Sequence, residues 1–205
     1  MGREGGRFVR ALAAALALAA PAAFAAPEVF TVDPGHTFPA FEVVHLGLST
    51  QRGRFDRTSG RIELDREAGT GRIELAIETA SVSTGNRALD GVLRGEDFFD
   101  VERFARMTFR ASAIEFDKGE PRRARGDLTM NGVTKPVALT VERFACTRLP
   151  FLVRVTCGAD VTATIRRSDF GITRFANFVA DEVRIVAQVE AVREEPPAAP
   201  GASGN

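Results

Sequence analysis

Alternation of apolar and polar side chains dominates the chain between residues 26 and 193. In "GRIELAIETASV", Ile73, Leu75, Ile77 and Thr79 share one parity, while Arg72, Glu74, Ala76 and Glu78 share the other. Near the C-terminus Val183, Ile185, Ala187, Val189 and Ala191 alternate with Arg184, Val186, Gln188, Glu190 and Val192. Residues 61–65, 107–116, 135–144 and 153–167 repeat the pattern. A period of two belongs to the β-strand, whose side chains point alternately to opposite faces. One face is apolar and the other wetter, which predicts antiparallel sheet instead of parallel sheet covered on both sides.

The punctuation agrees. Asn131-Gly132 tolerates positive φ at both positions, so it predicts a type I′ hairpin joining "RGDLTM" to "VTKPVALTV". Gly69 to Gly71 and Gly119 to Pro121 interrupt other strand runs. One segment has helical spacing. In "NRALDGVLRGEDFF", residues 86–99, Leu89, Val92 and Leu93 fall at i, i+3 and i+4, with Asn86 as N-cap and Gly95 as stop. A shorter turn is expected at "SDFGI", residues 168–172.

Several of these strands reach ten residues or more, about 30 Å at ~3.3 Å per residue. Long antiparallel strands leave edges exposed, and closing the sheet removes them. The expected fold is therefore all-β: a closed antiparallel up-and-down β-barrel of about eight strands with a short helical insertion near residues 86–99. A two-sheet sandwich is the competing arrangement.

The two ends read differently. Arg3, Arg7 and Arg10 precede the wholly apolar run Ala11–Ala20, and Ala23-Phe24-Ala25 supplies a small-x-small cleavage pattern. This predicts a signal peptide over residues 1–25 and a periplasmic destination. The apolar run is far shorter than the roughly 20 residues of a spanning helix. Residues 26–193 form the expected domain. The tail 194–205, rich in Pro, Gly, Ala and Ser, lacks apolar periodicity and is expected to be disordered.

Charge narrows the partners. Lys plus Arg number 27 and Asp plus Glu number 27, and loss of the leader removes three arginines and Glu4, leaving a slight acidic excess. Phosphate backbones demand clustered cations, so nucleic acid is not an expected partner. The chain has 16 Phe, no Tyr and no Trp. Phe carries no polar atom that needs a partner when buried, which suits a dry interior and equally an ordinary core.

Candidate chemistry is sparse. No nucleophile elbow, zinc-protease helix or glycine-rich phosphate loop is present. His36 and His45 could share a metal only if the chain happened to bring them together. For His45, between apolar neighbours, three readings stay open: an imidazole hydrogen-bonded inside the fold, a polar point in a ligand cavity, or a general base. Cys146 and Cys157 flank "TRLPFLVRVT" and fall on the two arms of a candidate hairpin. In an oxidising compartment they are expected to form a disulfide worth roughly 3 kcal/mol on the chain-entropy model. The alternative is two free thiols. Parity sets Cys157 with Val155 and Ala159 but Cys146 with Glu142, so a bulge is needed to bring the sulfurs together.

The segments "VDPGHTFPAFEVVHLGLSTQRGRF", "EDFFD", "MTFRA", "LTMNGVTKPVAL" and "IRRSDFGI" occur in this order. Together they resemble the YceI-like family of exported polyisoprenoid-binding proteins, over roughly Val29 to Val192. The resemblance implies a lipocalin-like barrel around a long apolar channel. It also implies a polyisoprenoid, isoprenoid quinone or similar long-chain amphiphile as ligand, with no cofactor, no metal and no catalytic centre. Combined with strand parity, it assigns Phe41, Val43, His45, Leu75, Ile77, Phe109, Leu139, Val161, Ile165, Ile185 and Val189 to the lining, with Glu42 and Val44 outside. Transient contact with a membrane or membrane protein is a further expectation. Two competing functions are an enzyme using His45 or His36, and a solid barrel whose outer face meets a membrane redox partner.

The leader yields a direct prediction. Intact-mass analysis of exported protein should find Ala26 at the mature N-terminus, and membrane-bound protein beginning at Met1 would overturn both the leader and the destination.

Overall fold

A computed structural model describes residues 26–148 and 154–195, so the expected leader, and residues 196–205 of the expected tail, lie outside the described residues. The strands are β1 (Glu28–Val32), β2 (Phe38–His45), β3 (Ser49–Phe55), β4 (Thr58–Asp65), β5 (Thr70–Glu78) and the two-residue β6 (Val82–Ser83). After helix α1 (Arg87–Arg94) come β7 (Arg106–Asp117), β8 (Glu120–Met130), β9 (Val133–Thr147), β10 (Thr156–Arg166) and β11 (Val179–Arg193). Every pairing is antiparallel.

The sheet closes on itself. Around the ring each strand hydrogen-bonds its neighbours in the order β1, β4, β5, β7, β8, β9, β10, β11, and β11 pairs again with β1. This is the eight-stranded up-and-down barrel that strand length and the edge argument predict. The sandwich is excluded. β2 continues β1 beyond a kink, and β3 leads into β4 through Asp56-Arg57, so the first two staves are long and bent. They run side by side, with Glu28↔Leu64 near one end and His45↔Ser49 at the hairpin tip.

The closing seam lies along β11. Its last turn-outward residues pair with β1, Val32↔Ala191 to Phe30↔Arg193, and its middle pairs with β2, Gln188↔Phe38 to Val183↔Val43. Between these ladders the chain loops out at 33–37, which would leave a gap in the wall. Glu190 fills it: its carbonyl accepts from the Asp33 N–H at 2.8 Å and the Thr37 hydroxyl at 3.0 Å, and its N–H donates back to Thr37 Oγ1. Thr37 is accordingly fully buried.

The turns follow their sequence chemistry. Asn131 (φ 50°) and Gly132 (φ 73°) both occupy positive φ, as a type I′ hairpin requires. At Gly126, where β8 crosses close over β7, a Cβ would stand 2.2 Å from the Arg110 carbonyl oxygen. Only the missing side chain allows this tight coiling of a small barrel.

The helix is shorter than the segment expected to hold it. Asn86 does cap it, with Oδ1 accepting from the N–H groups of Ala88 and Leu89, and it ends at Gly95. Residues 95–105 then continue as turns, because Phe99 N–H bonds the Leu93 carbonyl and Asp100 N–H bonds that of Gly95, closing the chain back on itself. Of the expected apolar face, Leu93 is buried while Val92 stays half exposed. Residues 167–170 form a 3₁₀ turn ended by Gly171 at φ 80°, overlapping the short turn expected at 168–172 but starting one residue earlier.

Cys146 and Cys157 face one another across β9 and β10 and are bonded. The register slips where Asp160 pairs with Arg143 but Val161 with Val141. Glu142 is the extra residue, and this bulge reverses parity between Val141 and Cys146 as the alternation demanded. Replacing both cysteines by alanine should lower stability by about 3 kcal/mol in urea unfolding of the exported protein without dismantling the barrel. An unchanged midpoint would mean the crosslink constrains nothing.

Candidate functional site

The barrel is hollow. Its upper half encloses a chamber of about 480 Å³ and its lower half a smaller one of about 150 Å³. Pro39, Ile77, Leu128 and Ile185 border both, so they form the waist between them. The larger volume lies in the range typical of small-molecule sites.

Strand alternation decides who faces in. Phe41, Val43, His45, Ile77, Ile165 and Ile185 line the upper chamber. Leu75, Phe109, Leu139, Val161 and Val189 line the lower one, which Ile77 and Ile185 also touch. The residues that parity assigns to the interior therefore all border the cavities. Glu42, between two lining residues, points outward and binds Arg52 and Arg184 at 2.8 and 2.9 Å. These two guanidiniums hold its carboxyl below the usual range.

The insertion between β6 and β7 roofs part of the upper chamber. Leu89, Leu93, Phe98 and Phe99 look down into it. The roof is fixed from three sides. Asp90 is buried and its Oδ1 accepts from the Thr84 N–H and hydroxyl, both at 2.7 Å. Arg94 donates to the carbonyls of Ala80 and Val82. Asn131 Nδ2 reaches from the β8–β9 turn to the Phe98 carbonyl at 2.5 Å. Phe99 completes an aromatic cluster with Phe41 and Phe55, at 6.4 and 5.2 Å between ring centroids. Edge-on geometry of this kind suits the quadrupoles of the rings.

The two chambers differ in polarity. In the lower, Thr37 carries the one polar side chain among the lining residues, and that hydroxyl is spent on Glu190. In the upper, His45, Gln51, Arg52, Thr84, Asn86 and Arg167 add polar groups to the apolar wall.

Arg167 is the residue that motif reading passed over. It is 5 % exposed and donates from Nε to the Ala180 carbonyl, from Nη1 to those of Ile172 and Arg174, and from Nη2 to that of Val179, at 2.8–3.0 Å. Four carbonyl dipoles replace its lost hydration, without which burying a guanidinium would be very costly. The signal was in the parity: Val161, Ala163 and Ile165 point inward, and Arg167 is next in step. The 3₁₀ turn carrying it is clamped to β11 by Asp181, which accepts from Arg166 Nε at 2.8 Å and from the N–H and hydroxyl of Ser168 at 2.9 Å.

The histidines do not form a catalytic or metal pair. His36 lies outside, its Nδ1 2.8 Å from Asp33 Oδ2, an interaction that raises the imidazole pKa and lowers that of the carboxyl. His45 is half-buried at the upper chamber wall, and its ring makes no hydrogen bond to the protein among the described residues. Of the three readings left open for His45, the hydrogen-bonded interior imidazole finds no partner among the described residues. The hairpin turn that follows at once keeps it beside the opening, out of reach of the core's carbonyls. Among the described residues no cluster of His, Cys, Asp and Glu has the makings of a metal site.

An eight-stranded antiparallel barrel wrapped around a mainly apolar chamber is the architecture of a lipocalin-like container. The sequence pattern of the YceI-like domain matches residues 30–191, and the chain belongs to the YceI-like family. It is 33 % identical over 168 residues to a UPF0312 protein of Shewanella sp. W3-18-1, covering 81 % of this chain and 87 % of that one. The Campylobacter jejuni YCEI protein superposes with a TM-score of 0.63 at 26 % identity, covering 74 % and 90 % of the two chains. A polyisoprenoid binding domain from Saccharophagus degradans, implicated in plant cell wall breakdown, superposes with a TM-score of 0.59 at 18 % identity, covering 80 % and 98 %, and shares the fold.

The clamp on the 3₁₀ turn should titrate. Asp181 is lowered from 3.8 to about 2, first by the Arg166 hydrogen bond and then by Ser168. A depressed folded-state value contributes stability above the ordinary carboxyl range and loses it as pH falls through the folded value. Asp181→Asn should therefore be less stable than the parent near neutrality, with the gap closing as pH approaches 2 in denaturant titrations. A gap independent of pH would assign the effect to geometry alone.

Proposed function

We propose that this protein is an exported, periplasmic carrier that holds a long-chain isoprenoid lipid, such as a polyisoprenoid or isoprenoid quinone, inside the barrel. The observation that carries the reading is the pair of contiguous chambers, apolar throughout below and polar-studded above. Such a gradient suits an amphiphile inserted tail first, with its head beside His45, Arg167 and Asn86. The relative from Saccharophagus degradans, named for polyisoprenoid binding, supports the ligand class. Burial is the whole mechanism: each CH₂ removed from water contributes about 0.8 kcal/mol, less the ordering of the chain.

The competing functions fit less well. A solid interaction barrel is hard to reconcile with a chamber of about 480 Å³. An enzyme reading needs a base poised on a nucleophile, and His45 has no such partner among the described residues while His36 is turned outward onto Asp33.

Mass spectrometry of an organic extract from natively purified protein tests the proposal, with a long isoprenoid chain expected in the folded fraction. Ile77, at the waist, sharpens the test. Ile77→Trp should stay folded and lose most co-purified lipid, whereas Ala76→Trp on the outer parity should retain it. Equal lipid in two folded variants, or none in the parent after reconstitution, would sink the carrier reading. His45→Gln should keep the fold and most of the bound lipid.

A further inference from the structure

The large apolar side chains that stand strongly exposed among the described residues are Val44, Leu46, Leu48, Val92, Phe175 and Phe178. They are not scattered. The Leu46 N–H donates to the Phe178 carbonyl at 2.6 Å, and Val179 pairs with His45, so the β2–β3 turn and the loop before β11 meet at one end of the barrel. Val44 precedes that turn. Phe175 stands 6.3 Å from Phe98, ring to ring, and both border the upper chamber, as Val92 does. The exposed apolar groups thus ring the polar-studded end of the cavity. Leu48 is 83 % and Phe178 54 % exposed, and neither borders the cavity. Their exposure does nothing for packing or for lining the chamber.

Charge at this end is one-sided within the two loops. Residues 43–52, "VVHLGLSTQR", and 170–180, "FGITRFANFVA", contain Arg52 and Arg174 but no carboxylate. Arg174 lies over the Phe175 ring at 4.8 Å, and Asp97 of the roof, just as exposed, is 3.7 Å from it. Arg52 stands directly opposite Glu42 in the β2–β3 ladder and pairs with it at 2.8 Å. Exposed apolar tips at the mouth of the chamber, beside guanidiniums paired to neighbouring carboxylates, match a bilayer interface, where the tips enter the acyl boundary.

We infer that this rim, formed by Leu46 and Leu48 of one loop with Phe175 and Phe178 of the other, docks on a lipid bilayer. The inference rests on the carrier reading. A lipid tail that leaves a membrane for the upper chamber avoids water only if the mouth of that chamber touches the membrane, and the apolar rim is continuous with the chamber wall. The occupant is the bilayer surface itself; a second copy of the chain or a protein partner are outcomes of the test.

The test uses the full mature protein and vesicles of phosphatidylcholine with or without phosphatidylglycerol. Flotation measures docking, and uptake of a pyrene-labelled long-chain alcohol from vesicle-free solution measures chamber binding separately. Wild type should co-float with both kinds of vesicle. Leu48→Ser with Phe178→Ser should cut the floated fraction about tenfold or more, with unchanged thermal unfolding and unchanged uptake from solution. Leu48→Phe should float as wild type does. Flotation of the double variant at wild-type levels, or wild-type protein that takes up the probe yet never floats, overturns the docking. A wild-type dimer that the double variant dissolves also overturns it and assigns the rim to copy–copy contact. Rim-dependent flotation without probe uptake keeps the docking and removes the carrier reading instead.

Discussion

The seam between the first and last staves is the constraint on which the rest of the molecule depends. An antiparallel meander of this length has two free edges, and only their mutual pairing turns it into a container. β11 serves two partners, β1 at its end and β2 along its middle, and the backbone of Glu190 bridges the loop between them. Were the seam open, the inner face would be wet, and neither chamber would have a reason to be apolar. The bulge at Glu142 and the bare Cα of Gly126 serve the same end, bending and coiling strands that would otherwise splay.

Closure also creates the polarity gradient. At the lower end the strands, even where bulged at Glu142 and between Ala111 and Ala113, turn almost only apolar side chains inward, so the cavity there is apolar. At the upper end the regular ladders give way to the roof, the 3₁₀ turn and the β2–β3 hairpin. Irregular backbone brings carbonyls and polar side chains to the wall, and Arg167 collects four of those carbonyls in one buried cation. The arginine thus organises the loop whose Phe175 and Phe178 stand at the rim. Fold, gradient and rim share one cause, the point where strand order ends.

Much of this was legible in the chain. Alternation identified the inward face of each stave residue by residue, from Phe41 to Val189, because a strand offers only two directions and burial selects one. The hairpin at Asn131-Gly132 and the cap at Asn86 were equally plain, since each is a local demand on φ or on an orphan N–H. The parity mismatch between Cys146 and Cys157 even announced a bulge. Less legible were the boundaries and partners that arise between distant segments. The helix stopped at Arg94 because Phe99 and Val101 turned back to bond the carbonyls of Leu93 and Arg94, and the His45 ring found no hydrogen-bond partner among the described residues, at a rim that no local pattern describes.

The sequence by itself determined that this is an antiparallel β protein with a sorted inside and outside, because period-two alternation is a covalent property of the chain. Tertiary structure alone decided that the inside is hollow. Side-chain identity states that a face is dry, not whether opposite faces meet; the barrel's circumference, set by eight staves and their tilt, leaves the apolar walls apart at the upper end. It also decided which exposed apolar residues belong together. Leu46 and Phe178 are far apart along the chain and become neighbours only when β11 is laid against β2.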